Sequence, residues 1–350
     1  AVRVESEAGR FLGMALWSPA STISLRLLTR EERAIDGGFW RERIAAAAAY
    51  RERLAPDATA YRLVHGEADA LPSLVVDRFG EYLVLQLLSA GVEACRAEIV
   101  EAVAERFRPA GMLARNDVAV RAHEALDRSV ELLAGTVPEQ LEVREGKVRY
   151  LVAPWSGQKT GAFLDQRENR QRAGELSRGR ALDCFAYHGS FALHLATGAD
   201  EVLAVDSSGP ALERATENAR LNGFGQLRTL EANVFDFLRA QEAAGEQYDV
   251  VVLDPPAFAK RRDAQAQALR AYKEINLRAL RLLAPGGHLC TFSCSYHVDA
   301  AAFRAMLQSA AEDAGRPVRW LEARGQSADH PELLQVPESG YLKGAILQAI

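Results

Sequence analysis

Short apolar runs bounded by turn residues alternate with stretches of helical period throughout the carboxyl-terminal part of the chain. Residues 181–184, 202–205, 227–231, 248–253 and 288–293 read as buried strands. Between them, 191–196, 210–222, 235–244, 268–283 and 300–314 read as helices, and a further helix over 165–177 comes before the first strand. Two more strands, 318–322 and 341–350, close the chain around a loop at 325–340. Strand alternating with helix predicts an α/β fold with a doubly wound, mostly parallel seven-stranded sheet. The amino-terminal part has a different pattern. Two β-like pieces, 11–17 and 22–28, surround the turn signal Ser18-Pro19. An alanine-rich helix follows over 31–54, then strands at 61–64, 73–77 and 82–88, a helix at 92–107, and strands at 112–115, 132–133, 141–143 and 147–152. The predicted organisation is a small β unit (1–30), a mixed α+β domain (31–145) and the α/β domain (146–350). His65, Arg115, Asn116 and Asp117 are the polar landmarks of the middle domain and read as turn and surface residues.

A chain of 350 residues with 48% hydrophobic residues can build more than one core. It has no run of apolar residues long enough to span a bilayer and no signal-peptide pattern, so a cytoplasmic protein that does not engage a membrane is expected. It opens on Ala1 rather than a methionine, which leaves preceding residues an open matter. The cysteines, Cys95, Cys184, Cys290 and Cys294, are too scattered for a disulfide framework and contain no C-x-x-C pair, so free thiols and no metal are expected. The net charge of −5 argues against a uniformly basic nucleic-acid binder. Local basic runs at 260–273 and 167–180 flank the stretches that carry the chemistry, although such runs are often only solvated faces.

That chemistry begins at 181–206, a strand, a glycine turn, a helix and a second strand ending on an acid. In an open parallel sheet, ligands sit beyond the carboxyl ends of the strands, so Asp183, Phe185, Gly189 and Asp206 should converge on one crevice. Asp206 lies where an acid accepts hydrogen bonds from ribose hydroxyls. The turn has a single glycine, Gly189, where a pyrophosphate cradle needs several. This points to a nucleoside ligand without phosphates, of which S-adenosylmethionine is the commonest. A βαβ unit with no ligand is the alternative for this stretch taken alone. The 248–253 strand runs into Asp254-Pro255-Pro256-Ala257-Phe258. Its prolines must leave the sheet, which holds the Asp254 carboxylate and the Pro255 carbonyl over the crevice, with Phe258 available to stack on a base. Cys294 ends the neighbouring strand. A thiolate there suits attack on C6 of a pyrimidine, whereas Cys95, Cys184 and Cys290 read as core.

Six motifs, GQKTGAFLDQREN (157–169), LDCFAYHGSFALH (182–194), VLDPPAFAK (252–260), YKEINLRAL (272–280), TFSCSYHV (291–298) and DHPELLQVPESGYLKG (329–344), resemble those of the class I S-adenosylmethionine-dependent methyltransferases that modify cytosine C5 in large-subunit ribosomal RNA. The resemblance implies a PUA domain, a central α+β domain and a methyltransferase domain, with 11–30 similar to the later part of a PUA domain. It also implies that Gln166, Asp183, Phe185, Gly189, Asp206, Asn233 and Asp254 line the cofactor pocket. Cys294 is then the nucleophile, Asp254 assists at N3, and Lys260, Arg261, Arg262 and Phe258 face RNA. The implied partner is large-subunit ribosomal RNA or an assembly particle, and a homodimer is compatible with it. The chain departs from the pattern at His188, where a hydroxyl residue often precedes the glycine, and at Asn233, where an Asp is common. Water, Lys343 or His330 are candidates to remove the C5 proton. Two rival functions are methylation of a guanine or adenine nitrogen, which needs no thiol, and RNA binding without catalysis.

Overall fold

The computed structural model describes residues 1–258 and 262–350, apart from the side chain of Arg262. It divides into two compact units, one of Ala1–Gly146, Leu151–Asp165 and Ala328–Ser339, the other of Lys147–Tyr150, Gln166–Ser327 and Gly340–Ile350.

The first unit carries an antiparallel three-stranded sheet, Val2–Glu5, Phe11–Trp17 and Leu25–Thr29. It also has a five-stranded sheet in the order Ala60–His65, Leu74–Phe79, Tyr82–Leu87, Gly111–Arg115 and Val130–Gly135. The alanine-rich helix spans Gly37–Leu54 rather than starting at residue 31, because the Asp36 side chain accepts from the Phe39 amide and so fixes the first turn. The 92–107 helix is two helices, Ala90–Ala94 and Arg96–Phe107, meeting at Cys95, whose amide bonds back three residues to Val92 O. Cys95 is half-buried there rather than a core residue.

Arg115 and Asn116, expected at the surface, are 4% and 0% exposed. Most of their polar atoms find internal partners, Asn116 Nδ2 being the exception among the described residues. The Arg115 guanidinium donates to Pro154 O (2.6 Å) and Gly157 O (2.9 Å) and pairs with the exposed Asp117, while Asn116 Oδ1 accepts from the Leu87 amide. His65 packs its ring 5.2 Å from that of His330, and burial, reinforced by the Arg62 cation, pushes its pKa down to about 2. Segment Ala328–Ser339 is anchored in this unit by Arg51, whose Nη2 donates to Asp329 O (2.7 Å), and by Asp329 Oδ2, which accepts from the Arg62 amide.

The second unit is a seven-stranded sheet. Its strands are β1 (Arg180–Cys184), β2 (Glu201–Asp206), β3 (Leu227–Glu231), β4 (Tyr248–Leu253), β5 (Leu283–Ser293), β6 (Val318–Arg324) and β7 (Lys343–Ala349). Their spatial order is β3-β2-β1-β4-β5-β7-β6. The first five are parallel, and β7 enters antiparallel between β5 and β6. The connecting helices are α1 (Arg167–Leu176), α2 (Ser190–Leu195), α3 (Gly209–Asn222), α4 (Val234–Ala243), α5 (Gln265–Leu282) and α6 (Ala300–Ala314). The doubly wound, mostly parallel α/β fold expected from the pattern is therefore present. Strand β5 starts five residues before the expected 288, because Pro285-Gly286-Gly287 is absorbed within the strand, where Gly286 takes φ +73° and the pairing with β4 shifts register.

A buried cluster that includes Leu182, Val251, Tyr272, Ile275, Leu289 and Leu347 fixes the helices on the sheet. On β5, Phe292 is 1% exposed, lies 5.5 Å from the ring of Phe191, and stands opposite Gly344 of β7. A Cβ at Gly344 would lie 2.5 Å from the Phe292 ring, so the aromatic and the glycine are a matched pair. Phe292→Ala should destabilise this unit by about 3–5 kcal/mol, read as a lower urea midpoint with an unchanged slope.

Candidate active site at the carboxyl ends of the parallel strands

The loop after β1 has a strained backbone. Phe185 and Tyr187 take φ values of +63° and +49°, and Gly189 takes +79°. Left-handed non-glycine residues persist only where the surroundings over-determine them. Here Asp206 Oδ2 accepts from the Tyr187 amide (2.9 Å), the Ala186 amide bonds Val205 O, the Gly189 amide bonds Ala186 O, and Asn218 Nδ2 donates to His188 O (3.0 Å). Gly189 is required for space as well as conformation, since an added Cβ would lie 2.9 Å from Ala215 Cβ. Asp206, at the tip of β2, also accepts from the Ser208 amide, so its carboxylate ties the glycine loop to the start of α3.

Asp183 is buried at 1% exposure near the end of β1. Its Oδ2 accepts from the Ala192 amide (2.9 Å), and its Oδ1 has no hydrogen-bond partner among the described residues. Burial drives its pKa well above the usual carboxylate range. The Ala192 amide opposes this, and the Asp254 and Asp206 carboxylates add to it. The acids at the ends of β1, β2 and β4 are thus near enough to repel one another.

At the end of β4 the chain leaves the sheet through Pro255 and Pro256. Asp254 Oδ1 accepts from Gln166 Nε2 (2.8 Å), and Gln166 Oε1 in turn accepts from Asn169 Nδ2 (2.6 Å), with both amides buried. Cys294 follows the end of β5. Its Sγ lies 3.9 Å from Pro255 O and it is half-buried, whereas Cys184 and Cys290 are wholly buried. None of the four cysteines forms a disulfide, as expected. Burial raises Cys184 far above the ordinary thiol range and Cys290 to about 12, which fits their core role.

The other expected site residues are placed differently. Asn233 is exposed and caps α4, its Oδ1 accepting from the Phe235 and Asp236 amides. Phe258 is half-buried, its ring 4.7 Å from that of Tyr272 and 5.9 Å from that of Phe235. Lys260 and Arg261 lie outside the described residues. Arg262 opens a short 3-10 turn, and its side chain lies outside them too. The 167–180 run is only partly a solvated face: Arg167 and Arg170 are buried and Arg172 pairs with Glu322, whereas Arg178 and Arg180 are exposed, Arg180 pairing with Glu246. The motif reading does not isolate Asn169, Asn218 and Tyr272. Asn218 has no recognisable signal, because its partner is a carbonyl thirty positions away.

The model of the S-adenosylmethionine-dependent methyltransferase family matches residues 63–344, and that of the PUA-like domain matches residues 1–30. The chain belongs to the S-adenosylmethionine-dependent methyltransferases. Over 99% of its length the methyltransferase is 42% identical to a Shewanella amazonensis protein named ribosomal RNA large subunit methyltransferase I, covering 89% of that protein. In fold it is similar to a solved Streptococcus mutans protein described as an S-adenosylmethionine-dependent methyltransferase, with a TM-score of 0.85, 21% identity, and coverage of 99% of this chain and 90% of that one. A second solved methyltransferase, complexed with SAH, gives a TM-score of 0.86 at 22% identity, with the same two coverages. S-adenosylmethionine is thus the cofactor.

The methyltransferase's residues fit that molecule. A cationic sulfonium with an ammonium group suits a crevice of carboxylates, one of them with an unpartnered buried oxygen, and the single-glycine turn makes no phosphate cradle. Among the described residues, no group of His, Cys, Asp and Glu could hold a metal, and no helix is long and apolar enough to cross a membrane.

The raised Asp183 pKa has a signed consequence for the cofactor-free protein. Folding takes up a proton there above the ordinary value of 3.8, so the associated stability is full below that pH and is lost as pH rises through the folded value. Asp183→Asn should be more stable than wild type at neutral pH and should lose less stability between pH 4 and neutrality, measured by urea unfolding at a series of pH values.

Proposed function

We propose that this methyltransferase modifies C5 of a cytosine in large-subunit ribosomal RNA, through a covalent adduct between Cys294 and C6 of the ring. The observation that carries this reading is the Cys294 sulfur, half-buried and 3.9 Å from Pro255 O at the neighbouring strand tip, while Cys184 and Cys290 are sealed in the core. The substrate class is supported by the extended likeness to a protein named for large-subunit ribosomal RNA.

Cytosine C5 is a poor nucleophile until something adds at C6. In the proposed sequence the Cys294 thiolate forms the S–C6 bond, and the electron pair of the C5–C6 double bond becomes an enamine-like carbanion at C5. Asp254, oriented by Gln166, shares a proton with N3 and stabilises charge there. Bound S-adenosylmethionine supplies an electrophilic methyl group on sulfur. Once C5 carries the methyl group, loss of the C5 proton to a base and breaking of the S–C6 bond restore the ring and the thiolate. The target base has to be unstacked to enter such a site. Gln166, Asp183, Phe185, Gly189, Asp206 and Asn233 form the proposed cofactor wall. Lys260, Arg261, Arg262 and Phe258 form the proposed RNA-facing edge. In the proposed division of labour, 1–30 and 31–145 serve substrate recognition and 146–350 the chemistry.

Large-subunit RNA carrying 5-fluorocytosine should trap a denaturation-stable protein–RNA complex with wild type, because fluorine cannot leave as a proton does, and none with Cys294→Ala. The same substitution should lower methyl transfer on the order of 10³-fold or more. Full transfer by Cys294→Ala would overturn the covalent reading in favour of methylation at a base nitrogen, and RNA binding with no transfer at all by wild type would leave only a binding protein.

A further inference from the structure

Strand β7 runs antiparallel to β5 with Lys343 directly opposite Ser293, the residue before Cys294. The Lys343 side chain is half-buried, and its Nζ donates to Ser295 O (2.7 Å), just past the cysteine, and to Tyr341 O (2.8 Å), just before β7. The two carbonyls bracket the tip on which Cys294 sits. An ammonium has three N–H groups, and these acceptors account for two of them.

Lys343 and Cys294 also interact electrostatically. Burial lowers the Lys343 pKa, and negative charge on Cys294 or Asp299 opposes that fall. By reciprocity, whatever a thiolate contributes to the ammonium, the ammonium returns to the thiolate. Tyr272 of α5 shares a hydrogen bond with Ser295 Oγ (2.9 Å), and burial raises its pKa, so it is a neutral phenol. Asp254 precedes Pro255 and is engaged by Gln166, while Asp299 caps α6 through the Ala302 amide.

We propose that Lys343 is the positioning residue for Cys294: its ammonium, clamped between the Ser295 and Tyr341 carbonyls, fixes the strand tip and lowers the cost of ionising the cysteine sulfur, which as a thiol donates to Pro255 O. This rests on the reading of Cys294 as the nucleophile, and it adds what activates the thiol. The lysine moves no proton in this role. It supplies a fixed positive charge where the sulfur becomes negative.

The test is the pH dependence of Cys294 alkylation by iodoacetamide in the full chain, read on the Cys294 peptide by mass spectrometry. It compares wild type with Lys343→Met, Lys343→Gln and Lys343→Arg. Removing the charge in the Met and Gln variants should move the alkylation midpoint up by about one pH unit, about a tenfold loss of thiolate at neutral pH. Lys343→Arg should keep the wild-type midpoint. Methyl transfer by the Gln variant should fall about tenfold at neutral pH and recover as pH rises. Lys343→Gln keeps an amide donor for the carbonyls, so it holds the tip if the Met variant does not fold, and retained S-adenosylhomocysteine binding by calorimetry verifies its pocket. An unmoved midpoint in Lys343→Gln, or an equal shift in Lys343→Arg, overturns the assignment. Loss of activity to the same extent at every pH also overturns it, because a purely structural clamp behaves that way. Full transfer by Cys294→Ala would instead overturn the nucleophile reading, which the alkylation titration does not measure.

Discussion

Two consecutive prolines cannot continue a hydrogen-bonded ladder, and the site is arranged around the place where β4 stops for that reason. The backbone leaves the sheet after Leu253, presenting the Asp254 carboxylate to the Gln166 amide and the Pro255 carbonyl to the Cys294 sulfur. Because β4 is central, between β1 and β5, this one exit lies between the acid at the end of β1 and the thiol at the end of β5. A ladder continued for two more residues would pair the backbone that the crevice needs exposed.

The other half of the crevice depends on a strained turn. Phe185, Tyr187 and Gly189 all sit at positive φ, a conformation that costs free energy unless neighbours hold it. Asp206 and Asn218 do so from β2 and α3, so an acid proposed for the cofactor wall also supports the backbone of the glycine loop. In that proposal, binding and loop geometry are coupled through one carboxylate. Asp183, buried close behind, is kept from ionising freely by its surroundings, and a cationic ligand would relieve that cost.

Much of this was visible in the order of residues. Strands β3 and β4 and helix α6 occupy the spans that hydrophobic pattern and turn residues predict, because each is bounded by a local signal: Gly223 before β3, Pro255 after β4, Asp299 and Gly315 around α6. The same local reading failed where a distant partner decides. Arg115, Asn116, Arg167 and Arg170 look like surface residues by type, yet they are buried, with Arg115 donating to, and Asn116 Oδ1 accepting from, backbone groups well separated in sequence. Residues 328–339 follow the β6 sequence directly but belong to the first unit, through Arg51 and Arg62.

The sequence by itself determined the alternation of strand and helix, the single-glycine turn, the proline exit and the identity of the acids and the thiol, since each depends on backbone preferences acting over a few residues. Only the tertiary structure decided the full order of the strands, that the Cys294 sulfur lies 3.9 Å from Pro255 O, and that Lys343, from the far end of the chain, stands across from Ser293 beside it. Those facts follow from packing a sheet in the order β3-β2-β1-β4-β5-β7-β6, and register between strands separated by a helix or a long loop is a property of the shared core rather than of any one segment.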